Sequence, residues 1–220
     1  MHEPSPGPTT VRIRSGERGA RLLAGTAITL GLALFAWLLL AGDRATTTTL
    51  DWASVAPPAD QPMRPWRYVV LHHSGQASGD TASIDRNHLL ERGWEGIGYH
   101  FVIGNGQPMA LGRIDATWRW RTQVGGAHAG TGAKAQPFDE AGIGICVIGD
   151  YRQVGPDPAV EARLADLCAL LVTQIPTLSV NRIIAHREVP GKQTDCPGRV
   201  DLQRLRYLVR ERLGPASTER

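Results

Sequence analysis

Short apolar runs alternate with longer amphipathic stretches through most of this chain. The short runs are rich in β-branched and aromatic residues and predict strands at RYVVLHH (67–73), GYHFVIG (98–104), QPMALGR (107–113), GIGICVIG (142–149) and NRIIAH (181–186). A helical period predicts helices over 83–93, with Ser83 as N-cap, over about 159–175 and over 201–213. A Gly-rich passage that ends near Gly142 has no clear period. Strands that alternate with helices predict an α/β fold, in which helices pack on a sheet.

A different pattern fills residues 22–42, an uncharged apolar run of 21 residues. Spanning the hydrocarbon core of a bilayer takes roughly 20 helical residues, so this run is a candidate transmembrane anchor. The preceding tail, 1–21, holds four Arg against Glu3 and Glu17, which predicts a cytoplasmic N-terminus and an exported remainder. A cleaved signal peptide is the alternative, because the run ends in small residues. We favour the anchor because signal peptides usually have a shorter apolar region.

The segment after this run separates it from the predicted folded domain. Residues 43–65 are rich in Thr, Ala and Pro and show neither a helical nor a strand period. They therefore predict a flexible linker. The domain is predicted over 66–214, and 215–220 form a short tail. We expect a single-pass protein of the cytoplasmic membrane, with this domain on the periplasmic or extracytoplasmic side.

The charge distribution argues against a nucleic-acid partner. The calculated pI is about 9.0 and the formal net charge is +3. Residues 1–50 contain five Arg against Glu3, Glu17 and Asp43 and so account for +2, which leaves +1 for the other 170 residues. That is too little for a phosphate-binding surface.

Three cysteines are too few for a disulfide-stapled scaffold. Cys168 lies on the apolar face of a predicted helix and Cys146 within an apolar strand, so both are predicted core residues. Cys196 lies in the turn TDCPG, ten residues after His186. His72 and His186 each end an apolar strand, where an α/β sheet presents groups to a ligand. Two imidazoles and a thiolate form a zinc-binding set that leaves one tetrahedral position open, although strand-end histidines are more often surface residues.

Five blocks together carry a family resemblance: VVLHHS, GIGYHFVIGNG, GAHAG, GIGICVIGDY and IIAHREVPGKQTDCPG. Their order and spacing resemble those of the zinc-dependent N-acetylmuramoyl-L-alanine amidases, which include phage lysozyme-amidases and peptidoglycan recognition proteins. The resemblance covers about residues 67–213. It implies a central mixed β-sheet flanked by helices, a Zn²⁺ cofactor and a peptidoglycan or muropeptide substrate.

The resemblance also assigns roles to individual residues. His72, His186 and Cys196 match the metal ligands, and Tyr99 matches a catalytic tyrosine. His128, in GAHAG, matches a histidine near the substrate groove.

The position two residues before the ligand cysteine is Lys in phage-type members and Thr in many recognition proteins that retain activity. This chain has Thr194 there and Lys192 two residues earlier. We favour Thr194 by position and keep Lys192 as the alternative source of charge for polarising the substrate carbonyl.

Strand alternation adds predictions about the neighbouring side chains. His73 should face away from the metal. Tyr99 and Phe101 should share one face, and His100 should be a core residue on the other.

The predicted activity is hydrolysis of the amide between N-acetylmuramic acid and the L-alanine of the stem peptide, by a monomer. A peptidoglycan-binding module without catalysis is the runner-up. A zinc hydrolase that acts on another amide is a third possibility.

Overall fold

Residues 50–214 of the 220-residue chain are described in this computed structural model. The predicted basic tail (1–21), anchor (22–42) and final tail (215–220) lie outside these residues. Among the helices of residues 50–214, none has both the length and the apolar character that crossing a bilayer requires.

The described residues form a five-stranded sheet in the order β3-β2-β4-β1-β5. The strands are β1 (Tyr68–His73), β2 (Phe101–Ile103), β3 (Ile114–Ala116), β4 (Gly142–Val147) and β5 (Ile183–Ala185). β3 is antiparallel to β2, and the other neighbouring strands are parallel. The prediction of a central mixed sheet with flanking helices is therefore confirmed.

Helices of very different length accompany the sheet. The α-helices of the described part are α1 (Trp52–Val55), α2 (Thr81–Arg86), α3 (Trp118–Arg121), α4 (Gln136–Glu140), α5 (Pro158–Gln174) and α6 (Leu202–Leu213). A π-helical turn, Asn87–Glu91, follows α2, and 3₁₀ turns at Val180–Arg182 and His186–Glu188 flank β5. α3 and α4 lie in the Gly-rich passage for which the sequence shows no period.

One face of the sheet is apolar and packs against side chains of α5 and α6. Val69 and Leu71 of β1 share a hydrophobic core with Leu164 of α5 and Leu205 of α6. Cys168 of α5 is fully buried in this core, as predicted. This half of the domain is explained by hydrophobic burial alone.

The opposite face of the same strands carries a smaller apolar cluster around Val70 together with small and polar side chains. His72 points to this face, because side chains alternate along β1 and Leu71 points into the apolar core. Cys146 of β4 is directly opposite His72 in the strand register and is fully buried, as predicted. Gly144 also lies here, and a Cβ at this position would collide with the ring of His128. A glycine in β4 therefore makes room for a histidine from a loop.

Two element predictions need correction. The first helix begins at Thr81, with Asp80 as N-cap, and Ser83 is the third helical residue. The Asp80 carboxylate accepts a hydrogen bond from Ser83 N (2.7 Å), and Ser83 Oγ accepts one from Asp80 N (2.9 Å). This reciprocal capping box explains why Ser83 resembles a cap in the sequence.

The predicted strand over 107–113 is also wrong, because these residues form turns. Pro108 has no N–H for a strand ladder, and the N–H of Gly112 donates to the carbonyl of Gly104 (2.9 Å). The strand is β3, which starts one residue after the predicted segment and pairs with β2.

Part of the predicted linker packs on the core. Val55 of α1 is 2% exposed, and its carbonyl accepts a hydrogen bond from Trp120 Nε1 (2.5 Å). The rings of Trp52 and Trp120 meet edge to face, with centroids 6.2 Å apart. Residues 50–55 are therefore part of the packed domain, while 43–49 lie outside the described residues.

Candidate functional site

The three predicted metal ligands come together at one edge of the sheet. β1 and β5 are adjacent parallel strands, so His72 at the end of β1 and His186 just after β5 lie close together. The turn that carries Cys196 folds back onto them, because Arg187 N donates to the carbonyl of Cys196 (2.9 Å). The ligand atoms of His72, His186 and Cys196 all lie within 4.8 Å of one another.

This donor set fits a zinc ion. Zn–S and Zn–N bonds of about 2.3 and 2.05 Å at a tetrahedral angle place sulfur and nitrogen about 3.6 Å apart. Cys196 Sγ lies 3.9 Å from His72 Nδ1, close to that separation. Three protein ligands also leave a fourth position for water or substrate, as in catalytic zinc sites.

Burial sets the protonation of these ligands. It lowers the pKa of His72 well below its usual value and lowers that of His186, so both imidazoles are neutral at pH 7, the form that binds metal. Burial raises the pKa of the Cys196 thiol to about 11. A bound divalent cation is the partner that converts such a thiol to a thiolate.

His128 is not placed at an open groove. Its side chain has no exposed surface. His128 Nδ1 lies 3.2 Å from His72 Nε2, and His128 Nε2 lies 3.2 Å from the carbonyl of Gly142. Its predicted place near the substrate stays a prediction, and in this structure His128 lies behind a predicted ligand, in space that Gly126 and Gly144 leave free.

Tyr99 lies beside the ligand cluster, with its ring centroid 5.0 Å from that of His72. Burial is the main reason that the pKa of its hydroxyl is raised well above the usual value, so the phenol stays protonated at neutral pH. The prediction that Tyr99 and Phe101 share a face is wrong. Phe101 packs on Trp120 in the apolar core (centroids 4.8 Å apart), and β2 begins only at Phe101, so alternation does not extend back to Tyr99.

Thr194 and Lys192 occupy different positions relative to the ligands. Thr194 Oγ1 accepts a hydrogen bond from Cys196 N (3.2 Å) and so supports the ligand turn. The Lys192 ammonium lies against Gly130, where a Cβ would collide with it. Its charge contributes to the lowered pKa values of His72 and His186. Lys192 therefore brings positive charge to the ligand cluster.

Two other histidines behave as predicted. His73 faces away from the cluster, where its Nδ1 accepts a hydrogen bond from Tyr151 N (3.1 Å). His100 is fully buried and bonds to the backbone at Gly144 and Val124.

A polar cleft of about 440 Å³ has Tyr99 in its lining. His88 and Arg92, to which the sequence assigned no role, also line it. Burial lowers the pKa of His88 to about 4, and its Nδ1 accepts a hydrogen bond from Gly98 N (3.0 Å). Arg92 is exposed, and its guanidinium lies over the ring of Trp94 at 5.1 Å. Among the lining residues, Arg92 carries the only formal charge at neutral pH.

A larger cleft of about 680 Å³ has none of the predicted site residues in its lining. Its carboxylates already have structural partners. Asp80 caps α2, Asp85 accepts a hydrogen bond from Ile97 N (2.7 Å), and Asp115 pairs with Arg113 (2.8 Å). Of the two clefts, the smaller one is therefore the candidate binding site, since Tyr99, which lies beside the ligand cluster, is in its lining.

Asp139 is a residue that the sequence patterns did not single out. Its Oδ1 accepts hydrogen bonds from the backbone N–H of His128 (2.6 Å) and of Ala129 (2.7 Å). Its position shortly before the strand run GIGICVIG is the only signal of it in the sequence.

Comparison with known proteins identifies related chains. A family model described as N-acetylmuramoyl-L-alanine amidase matches residues 62–199. Peptidoglycan-recognition protein LB of Drosophila melanogaster is 30% identical over 171 residues, which cover 71% of this chain and 67% of the relative. An N-acetylmuramoyl-L-alanine amidase of Sus scrofa is 26% identical over 157 residues, which cover 66% of this chain but only 24% of the relative.

Solved structures show the same fold. The amidase LysC from Clostridium intestinale superposes with a TM-score of 0.54 at 24% identity, over 67% of this chain and 89% of that one. A variant of Drosophila PGRP-LB in complex with tracheal cytotoxin gives a TM-score of 0.51 at 28% identity, over 70% of this chain and 89% of that one.

Proposed function

The chain belongs to the N-acetylmuramoyl-L-alanine amidase family, and from this premise we propose that it is a zinc-dependent amidase. The bond that it cleaves is the amide between N-acetylmuramic acid and the L-alanine of the peptidoglycan stem peptide. The observation that carries the proposal is the convergence of His72, His186 and Cys196 beside Tyr99. A module that only binds peptidoglycan has no need of this cluster.

His72 and His186, which are neutral at pH 7, and Cys196 are the residues that would hold the ion. Zn²⁺ supplies Lewis acidity, which polarises a carbonyl and makes water a stronger nucleophile at neutral pH.

The remaining roles belong to side chains around the ligands. The protonated Tyr99 hydroxyl is a hydrogen-bond donor at neutral pH and can orient water or support a developing negative charge. The Lys192 ammonium supplies positive charge for the scissile carbonyl oxygen, and Thr194 holds the turn of Cys196.

The polar cleft next to Tyr99 is the proposed binding site for the stem peptide. Its serine, glutamine and asparagine side chains can hydrogen-bond to peptide groups, and the Arg92 guanidinium can pair with a carboxylate. The related PGRP-LB variant was solved in complex with tracheal cytotoxin. We extend muropeptide binding from that relative to this chain as part of the proposal.

We also propose that the protein is anchored in the cytoplasmic membrane by residues 22–42, with its catalytic domain outside. The apolar run and the arginine-rich segment before it support this topology. Peptidoglycan lies on the same side. The full-length chain should stay with membranes after carbonate washing. A shorter soluble form would support cleavage of a signal peptide instead.

The decisive experiment uses the full chain, purified in detergent and incubated with a defined muramyl peptide. Release of free stem peptide, identified by mass, should stop with a chelator and return with zinc. Tyr99→Phe should keep stoichiometric zinc and lose about 100-fold or more in rate. Stoichiometric zinc with intact substrate would refute the amidase assignment and favour the binding module or another amide substrate.

A further inference from the structure

The Nε2 atoms of both predicted ligand imidazoles, His72 and His186, meet the same dipeptide, His128–Ala129. His72 Nε2 lies 3.2 Å from His128 Nδ1. His186 Nε2 lies 3.4 Å from the carbonyl oxygen of Ala129. One short loop segment thus contacts two ligands that come from different strands.

The hydrogen-bond pattern assigns the proton on each ring. A carbonyl oxygen only accepts, so His186 Nε2 carries a hydrogen for Ala129, and His128 Nε2 carries one for Gly142 (3.2 Å). A neutral imidazole has one ring hydrogen, and the Gly142 carbonyl places that of His128 on Nε2, so His128 Nδ1 accepts from His72 Nε2. Both ligand histidines are then left with a bare Nδ1, and that of His72 lies 3.9 Å from Cys196 Sγ.

The dipeptide is itself held in place from two sides. Asp139 Oδ1 accepts hydrogen bonds from the N–H groups of both His128 and Ala129, at 2.6 and 2.7 Å. Gly126 and Gly144 flank the His128 ring, and a Cβ at either position would collide with it. The ring and the carbonyl oxygen that meet the ligands are therefore fixed before any metal binds.

We propose that His128 and Ala129, held by Asp139, form the outer shell that fixes both ligand histidines in the tautomer that binds metal. His128 is on this view a positioning residue, which acts on the metal through His72. The inference rests on the zinc assignment made above. Partners of this kind typically contribute about 10- to 100-fold to metal affinity.

A matched histidine separates this role from ordinary core packing. His100 is as buried as His128, its ring centroid lies 5.7 Å from that of His128, and its hydrogen bonds go to backbone atoms of Gly144 and Val124. A substitution at His100 should disturb the same region of the core without removing a contact to a ligand.

The test measures zinc affinity of the full chain in detergent by competition with a chromophoric chelator. His128→Leu should weaken zinc binding by about 10- to 100-fold. His128→Asn, which can place an acceptor near the position of Nδ1, should recover much of the loss. His100→Asn should lower the melting temperature but keep the affinity within about threefold. Unchanged affinity in a folded His128→Leu protein, or an equal loss in His100→Asn, would overturn the proposal.

A second measurement does not depend on the variants folding. In ¹⁵N-histidine-labelled wild-type protein, long-range ¹H–¹⁵N spectra should show His72 and His128 protonated at Nε2. A His128 protonated at Nδ1 in the folded protein would contradict the assignment. Neither measurement uses substrate. A protein that binds zinc but has no amidase activity would refute the proposed function, while the zinc affinities and the spectra would still test the role of His128 and Ala129.

Discussion

At the scale of single residues, the two candidates for polarising the substrate carbonyl make different contacts. Thr194 and Lys192 both lie just before the ligand Cys196. Thr194 Oγ1 accepts a hydrogen bond from Cys196 N and keeps its own hydrogen to donate, whereas the Lys192 ammonium lies over Gly130 and brings positive charge near both predicted ligand histidines. We propose that the charge of Lys192 polarises the carbonyl, with Thr194, which the sequence favours by position, as the alternative.

We therefore expect Lys192→Ala to reduce kcat by about 100- to 1000-fold, the usual cost of losing an oxyanion donor. Zinc content should be unchanged, because Lys192 is not a ligand. Lys134, the other lysine of the chain, is exposed, and Lys134→Ala is the matched control. The double variant Lys192→Thr, Thr194→Lys should recover part of the rate if charge at this edge is what matters. If Lys192→Ala and Lys134→Ala had the same kcat, Lys192 would not be the group that polarises the substrate carbonyl.

The directions of side chains on regular strands could be predicted from the sequence, and those of side chains outside them could not. His72 and His73 take opposite directions as alternation requires, because β1 is continuous through both. Tyr99 breaks the same rule because β2 starts after it. The orientation of His128 depends on the space left by Gly144 and on Asp139, which are contacts across the fold that no local pattern encodes.

At the scale of elements, apolar runs located β1, β2, β4 and the edge strand β5 but missed β3 and α1. β1 and β4 lie at the centre of the sheet, where burial demands continuous apolar sequence. β3 is an edge strand of three partly exposed residues, so it has no such signature. α1 has four residues and is too short to show a helical period.

The packing of α1 leads to a prediction about stability. Deleting residues 50–55 removes the buried Val55 and the acceptor of Trp120 Nε1, which should lower the free energy of unfolding by about 2 to 4 kcal/mol. Deleting 43–48, an equally long piece of the predicted linker, should change it by less than about 0.5 kcal/mol. Urea unfolding followed by tryptophan fluorescence measures both. Equal free energies of unfolding for the two deletion variants would show that α1 does not stabilise the domain.

At the scale of the whole molecule, the two faces of the sheet have different tasks. The face towards α5 and α6 is apolar and supplies hydrophobic stabilisation. The opposite face holds His72, Cys146 and the ring of His128 in largely buried positions. The close packing that positions the proposed metal site also keeps imidazoles away from water. This burial should lower the free energy of unfolding when pH falls.

The stability of the metal-free protein should therefore depend on pH. All six histidines in the described part have a lowered pKa, mainly because of burial, and His88 and His128 fall to about 4. Unfolded histidines titrate near 6.5. Between about pH 6.5 and 4 the unfolded chain binds more protons than the folded one, so the free energy of unfolding falls as pH falls. Each fully buried histidine adds a slope of up to about 1.4 kcal/mol per pH unit, the partly exposed ones add less because solvent screens their charge, and the contribution is constant above this range.

Urea midpoints of chelator-treated protein at pH 7.5, 6.5, 5.5 and 4.5 would reveal this dependence. His100→Asn removes one buried imidazole that contacts no ligand, so it should make the dependence on pH shallower while lowering stability at pH 7.5. At pH 4.5 and above, Asp150, whose pKa is lowered to about 2 by its bonds to Arg152, is mostly ionised in the unfolded chain as well, so it adds little to this dependence. A urea midpoint that stays the same from pH 7.5 to 4.5 would contradict this prediction. It would mean that the buried histidines take up protons in the folded protein, which the close packing of His88, His100 and His128 should prevent.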